Sequence, residues 1–596
     1  MSEPIGRFPT GLRAQFLRHG PRYAVGVLLL ATYQTSQYWF DTRLRSAIND
    51  ALGPHHSRAV MLGLGLIAVM LGAGVVRVLS RVVVFNAGRD AEYELRSALE
   101  ERLLALGPSF YRRMSTGEIM SRVTNDLAQV RLLLGFGVLN VINTVFALVS
   151  ALAVTIPISG KLTVAALGPL PLLLLVSRRL SQEFYTRTRD NQAALGKMSA
   201  RVQTSIAGVR VIRSFSLEDA ELKSFEHSNQ AYLERSLSLA RLRGSLGPIM
   251  QVTIAVGILV VFWYGGSLVL RHELDAGGFL TFNRALSRLT WPLLSLGFVL
   301  GLVQRGRAAY DRLRDVYRAE PDIVDGKLSA PAVVAGRLEV RNLSFAYGKN
   351  PVLRGVSLTL EPGRSLAIVG RTGSGKTTLA VLLARLQPTP PGAVFLDGAD
   401  VCDLPLAVVR GAIGYAQQNV FLFSTTAARN IGFPLDDPDS AESLARIHQA
   451  AKEARVHEEI MALPDGYDTV VGERGVQLSG GQKQRVALAM AFVSDPRILI
   501  LDDPLSAVDA RTERGILEAI DRQRAKRSVL LVTHRVAAAA RCDHIVVLDE
   551  GRIIEQGTHA SLCAEGGLYA TFAEEQRIES ELEELGRNGA EQAAVA

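Results

Sequence analysis

Hydrophobic positions follow different rules in the two halves of this chain. In the first half they gather into six runs of membrane-spanning length: near Tyr23–Phe40, from Ala59 onward, then near Leu134–Ile156, Thr163–Leu180, Ile249–Leu270 and Phe279–Val303. A hydrocarbon core of roughly 30 Å is crossed by about 20 helical residues, so each run predicts a transmembrane helix. In the second half, short apolar runs alternate with amphipathic ones, the pattern of strands and helices in an α/β domain.

Proline spacing sharpens the first half. None occurs between Pro54 and Pro108, and one helix of about 45 residues would extend on the order of 70 Å, far beyond a bilayer. A second proline-free stretch from Pro171 to Pro248 repeats the design, with Arg187, Arg189, Lys197 and Arg201 in its charged middle. Short outer connections through Pro157–Gly160 and Arg271–Gly278, set against long basic inner extensions, place both termini in the cytoplasm. Residues 5–20 set Phe8, Leu12 and Phe16 among Arg7, Arg13 and Arg18, which suits either a basic helix lying on the inner membrane face or a disordered leader.

Polar residues within the spans call for partners. Tyr33, Gln34, Thr35, Ser36 and Gln37 in the first span must face protein or water, so this span is expected to line a central pathway. Arg284 and Arg288, one helical turn apart beside Asn283 in the sixth, are expected to snorkel to the outer headgroups, the alternative being contact with anionic or polar cargo. His55 and His56 are adjacent and point apart, which disfavours a metal site.

Composition adds limits. Among 596 residues the net charge is +8, but the basic residues of the first half lie between spans, so membrane topology explains them and nucleic acid is not expected as a partner. Cys402, Cys542 and Cys563 all fall in the second half without paired spacing, which implies a reducing cytosol and no disulfide or zinc. No short apolar core with a cleavage site suggests a removed signal peptide. The expected organisation is an amphipathic segment over 1–20, a transmembrane domain over 21–318, a Pro- and Gly-rich linker over 319–336, an α/β domain over 337–575 and a charged tail over 576–596.

The chemistry starts at GRTGSGKT, Gly370 to Thr377, preceded by the apolar run Ser365–Val369 and followed by a helix-forming run. Strand, glycine loop and helix in that order make a phosphate loop. Gly373 and Gly375 allow backbone N–H groups to converge on a phosphate chain at a helix N-terminus. Gly370, Arg371, Thr372, Ser374 and Thr378 complete the expected cradle. Lys376 would neutralise the β- and γ-phosphates of ATP and the Thr377 hydroxyl would ligate Mg²⁺.

Downstream motifs carry a resemblance. LSGGQ at Leu478–Gln482, ILILDD at Ile498–Asp503, YAQQ ending at Gln418, LLVTH ending at His534 and Tyr347 upstream of the loop together resemble a half-transporter of the ATP-binding cassette (ABC) superfamily, multidrug-exporter class. The likeness spans roughly 20 to 575. It implies a multidomain membrane protein with six long helices ahead of an α/β cassette, exporting hydrophobic or amphipathic cargo such as drugs, lipids or peptides. It also implies that Tyr347 stacks on adenine, Gln418 reaches Mg²⁺ and the attacking water, Asp502 holds Mg²⁺, and His534 contacts the γ-phosphate. Gln417 stands where many relatives have proline. Ser479, Gly480, Gly481 and Gln482 would close on the nucleotide of a second cassette. SAVD at Ser506–Asp509 resembles the D-loop and TVVGERG at Thr469–Gly475 the exporter X-loop. Ser115–Thr124 and Gly208–Phe215 are the candidate docking elements.

One residue departs from the pattern. Asp503 stands where most relatives carry the catalytic glutamate; aspartate is one methylene shorter, and a displacement of about 1 Å can cost on the order of 10²-fold in rate. The substitution resembles the degenerate-site subunits of heterodimeric exporters and implies an unlike partner with a glutamate there and a weakened signature. A homodimeric exporter or lipid flippase, or an ATP-gated channel that hydrolyses slowly, are the alternatives.

Overall fold

The computed structural model describes residues 8–53, 56–168, 170–331, 333–472, 478–505, 510–578 and 581. The SAVD segment, Glu473–Gly475 of TVVGERG, His55 and the tail beyond 581 lie outside them. The chain forms two compact units, one of Met1–Ala105 with Met114–Ala319 and one of Leu106–Arg113 with Glu320–Ala596.

The first unit is all helix. A short α1 (Leu12–Arg18) turns at His19 into α2 (Gly20–Leu52), followed by α3 (His56–Ala105). At 50 residues α3 is the single long helix expected, about 75 Å at the usual rise. Outside this unit, α4 (Pro108–Arg113) belongs to the second. Back in the first, α5 (Thr116–Ser121), α6 (Leu127–Leu132) and α7 (Val138–Ile158) run on through π turns at Arg122–Asp126 and Leu133–Gly137. Then come α8 (Gly160–Leu167), α9 (Leu170–Ala207), the short α10 (Val209–Ser214), α11 (Glu218–Leu270) and α12 (Ala276–Arg318). Short helices thus occupy both candidate docking stretches. Among the described residues, Thr116–Ile158 and α3 are long and apolar enough to cross a membrane, and Ala255–Leu270 is a shorter apolar helix.

Side-chain spacing explains the packing. On α2, Tyr23, Gly26, Leu30, Gln34, Gln37 and Asp41 are buried at steps of three or four residues, one face of a helix. Small residues bring backbones close: a Cβ at Gly88 would lie 2.9 Å from the Gly135 nitrogen, so α3 crosses the second π turn with no room for a side chain. The first π turn buries Arg122 and Asp126. Arg122 Nη1 donates to the Arg312 carbonyl at 2.7 Å and Arg312 Nε to Asp126 at 2.8 Å, tying this turn to α12.

Two findings modify the expectations for polar span residues. Gln34 Nε2 donates to Asn143 at 3.3 Å and Gln37 is 2% exposed, so these two face protein, while Thr32 and Ser36 bond to their own helix carbonyls. Arg284 and Arg288 do not reach for headgroups. Both guanidinium groups turn to Asp41 on α2, the latter at 2.8 Å. Snorkelling fails because a buried carboxylate offers a guanidinium a stronger partner at that depth than water does.

The second unit is the α/β body. Strands β1 (Leu338–Tyr347), β2 (Asn350–Leu360), β3 (Ser365–Val369), β4 (Val394–Leu396), β5 (Ala399–Asp400), β6 (Ile413–Ala416), β7 (Ile498–Asp502), β8 (Ser528–Val532), β9 (His544–Asp549) and β10 (Arg552–Gly557) build two sheets. One is a four-stranded antiparallel sheet in the order β2-β1-β4-β5; the other has six strands, β10-β9-β3-β8-β7-β6, parallel from β9 to β6. Every residue of β3, β7 and β8 is buried, as strands covered on both faces require. The Pro/Gly segment before β1 is clipped to this body: Gly326 and Leu328 N–H groups donate to Leu404 and Asp403 carbonyls, and Asp325 accepts from the Leu406 N–H at 2.7 Å.

Candidate functional site

The site forms at the C-terminal ends of β3 and β7, neighbours across β8, where ligands of parallel α/β sheets bind. β3 delivers Gly370 and the loop, which ends in α13 (Lys376–Leu383). Gly373 and Gly375 have φ of 86° and 105°, the left-handed region glycine tolerates best. At Gly370 a Cβ would sit 2.0 Å from the Leu548 carbonyl, so no larger residue fits. Lys376 Nζ folds back on the Gly370 and Arg371 carbonyls at 2.7 and 2.8 Å. Burial holds its pKa below the ordinary lysine value against the pull of Asp503 and Asp502. Ser374 Oγ is buried without a hydrogen-bond partner, Arg371 and Thr372 are exposed on the loop, and Thr378 follows Thr377 into α13.

Across the gap, β7 ends in Asp502. Its carboxylate accepts from the Thr377 hydroxyl at 3.1 Å and the Tyr415 hydroxyl at 3.3 Å. Burial raises the Asp502 pKa, opposed by those two hydrogen bonds, while Asp503 adds to the rise and Lys376 opposes it. Next along the chain, Asp503 adopts φ of 49°, an unusual conformation for a residue with a Cβ. Its N–H donates to the Val532 carbonyl at 2.8 Å. One carboxylate oxygen accepts from Gln418 Nε2 at 3.3 Å and the other lies 3.2 Å from His534 Nδ1. Lys376, Thr377, Gln418, Asp502, Asp503 and His534 therefore converge, although up to 158 positions separate them in the chain.

Tyr347 stands at the end of β1, half-buried and edge-on to Phe345. The guanidinium of Arg112 on α4 lies 5.1 Å from its ring centroid and donates to Gln387 Oε1 at 3.0 Å. The signature residues stand apart. Ser479 caps the helix Gly480–Val493 with a capping box: its Oγ accepts from the Gln482 N–H at 3.3 Å and its own N–H donates to Gln482 Oε1 at 2.8 Å. Ser479 and Gly480 are solvent-exposed, with Gly481 and Gln482 half-exposed behind them.

Two contributors escape motif reading. Tyr415 lies on β6 three residues before Gln418, a strand position that reads as core. Gln576, in the helical residues 568–578, donates to the His534 carbonyl at 2.7 Å and accepts from the Val536 N–H at 2.8 Å. Its amide thus brackets the loop carrying the histidine. The only sequence signal is its place at the start of the charged tail.

A phosphate loop facing paired carboxylates, a glutamine and a histidine defines a P-loop ATPase, and here it is joined to a helical unit. Comparison with known proteins makes the class specific. Residues 23–293 match the model for the ABC transporter transmembrane region and residues 353–506 the model described as ABC transporter. The chain is 34% identical to a probable multidrug resistance ABC transporter ATP-binding/permease protein of Bacillus subtilis, YheI, over 94% of this chain and 95% of that one. It is 31% identical to an ATP-dependent lipid A-core flippase of Syntrophus aciditrophicus, over 96% and 95%. Its fold matches a bacterial Atm1-family ABC exporter solved with ATP bound, with a TM-score of 0.77 and 27% identity over 93% of this chain and 99% of that one. The chain belongs to the ABC transporter family and has the fold of its exporters, with an ATPase domain coupled to transport.

Proposed function

We propose that this protein is one half of a dimeric exporter that moves amphipathic cargo across the cytoplasmic membrane, and that it is the subunit whose own hydrolytic pocket is slow. The carrying observation is Asp503: an acid one methylene shorter than glutamate follows β7, with Gln418 Nε2 donating to one oxygen at 3.3 Å and His534 Nδ1 3.2 Å from the other. The residues fit ATP. The Gly370 and Gly375 cradle admits no side chain, and the Ser374 hydroxyl awaits an acceptor or donor. Mg²⁺, when bound, would supply charge neutralisation between the phosphates, held by the Thr377 hydroxyl, the Asp502 carboxylate and the Gln418 carbonyl.

The chain's own groups divide the remaining work. Loop N–H groups and the start of α13 orient the phosphates, and Lys376 exchanges its two carbonyl partners for phosphate oxygens. Gln418 positions the attacking water beside Asp503, whose carboxylate accepts its proton, and His534 steadies the γ-phosphate. Asp503 reaches that water less well than glutamate would, so ATP stays bound for longer. Ser479 and the glycines beside it, exposed and remote from Lys376, serve the nucleotide of the facing subunit. ATP-driven closure of two cassettes then biases the helical units between inward- and outward-facing states.

An unlike partner with glutamate at the equivalent position follows from this reading. Purified alone in lipid, the chain should bind ATP and hydrolyse it slowly; paired with its partner, Asp503→Glu should raise turnover by roughly 10- to 100-fold. Fast hydrolysis and transport by the chain alone would instead establish a homodimer.

A further inference from the structure

A further cluster of opposed charges lies toward the outer ends of α2 and α12. Arg284 and Arg288 share Asp41, one on each carboxylate oxygen. Counting along α12 from Ala276, Arg284 and Arg288 lie about 12 and 18 Å into the helix, the depth of the outer leaflet. One carboxylate neutralises one of the two guanidinium groups, so the cluster carries a net charge of +1.

Its donors are underused. Two guanidinium groups present ten N–H donors, and beyond Asp41 their side-chain partners within the unit are distant. Gln37 Oε1 lies 3.3 Å from Arg284 Nη2 and 3.5 Å from Arg288 Nη1, and Ser150 Oγ lies 3.4 Å from Arg288 Nη2. Arg288 Nε is buried with no hydrogen-bond partner. Among the described residues, no second carboxylate pairs with either arginine. The asymmetry of exposure decides what an incoming molecule meets. The Asp41 side chain is 0% exposed, whereas those of Arg284 and Arg288 are 28% and 20% exposed. The carboxylate is hidden and the forks are presented. The Phe40 ring lies 4.0 Å beneath the Arg284 guanidinium, backing it with an apolar wall.

We infer that this cluster binds the oxyanion headgroup of an amphiphile, a phosphate or carboxylate carrying an apolar tail, and that it selects such cargo over zwitterionic or cationic cargo. A planar fork pairs with oxyanions two oxygens at a time, and a net cation at this depth gains most from an anion brought with its own hydrophobic body. This inference rests on the exporter reading and names the class of its cargo; because its test reads binding alone, it can fail while transport and ATP hydrolysis stand, and the reverse.

The test uses the full chain in phosphatidylcholine nanodiscs and measures binding of dodecyl phosphate against dodecylphosphocholine, with empty nanodiscs as background and inorganic phosphate as competitor. Dodecyl phosphate should bind roughly 10-fold or more tightly than the zwitterion, and inorganic phosphate should not displace it. Arg284→Gln and, less strongly, Arg288→Lys should erase the preference, with ATP binding at the cassette retained as proof of folding. Asp41→Asn should strengthen anion binding, since it removes the competing carboxylate; a purely structural ion pair would give no gain. Equal binding of both amphiphiles, displacement by inorganic phosphate, or an unchanged preference in the two arginine variants would each overturn the inference.

Discussion

The charged clusters around Lys376 and around Asp41 are built in opposite ways. Around Lys376, each functional group belongs to a short motif whose neighbours set its geometry: the glycines shape the loop, the strand ends in carboxylates, and the histidine follows its own strand. Around Asp41, nothing local announces a site. Its partners lie 243 and 247 positions away on another helix and become partners only when α2 and α12 pack. Motif-built sites can be read in isolation, whereas contact-built sites exist only in the folded bundle.

The largest expected effect breaks the motif-built side. Lys376→Ala should lower ATP hydrolysis by roughly 100-fold or more, measured by phosphate release in the assembled dimer, while leaving anionic amphiphile binding at Arg284 intact. Next is the packing that makes the contact-built side possible. Gly88→Val should cost about 1–3 kcal/mol in the helical unit, because its side chain would collide with the Gly135 backbone 2.9 Å from the Cβ position. Detergent-dependent thermal unfolding would reveal this as loss of the helical transition, with nucleotide affinity preserved.

Gln576 tests whether the cassette also borrows from contacts. Gln576→Ala should slow hydrolysis by roughly 3- to 10-fold without changing ATP affinity, since it frees the His534 and Val536 backbone on the loop that sets His534 beside Asp503. An effect on KM in place of kcat would assign Gln576 to binding. The smallest effect on stability concerns Asp502. Burial raises its pKa, so folding favours the neutral acid, and the stability this contributes is present at low pH and lost as pH rises through the folded value. Asp502→Asn should therefore raise the cassette's Tm by roughly 1–3 °C near neutral pH without nucleotide, with the gain vanishing toward pH 4, while abolishing hydrolysis.

Arg112 shows how far contact can revise a motif. Tyr347 is recognisable by its position ahead of the phosphate loop, yet its ring is covered by a guanidinium from α4, more than 200 positions upstream. Asp503 shows the converse: its identity alone raises the expectation of a slow site, and the structure sets its carboxylate between Gln418 and His534 on a left-handed backbone.

Hydrophobic periodicity, glycine placement and proline spacing were sufficient to read the division into helical and α/β halves, the long α3 and the glycine loop set between a strand and a helix, because each depends on a few neighbours along the chain. The antiparallel sheet β2-β1-β4-β5, the Gly88–Gly135 crossing, the Gln576 bracket and the Asp41 partnership of two arginines were decided by tertiary structure alone. A buried charge or a helix without a side chain states only a need for a partner; which distant residue meets that need is settled by packing.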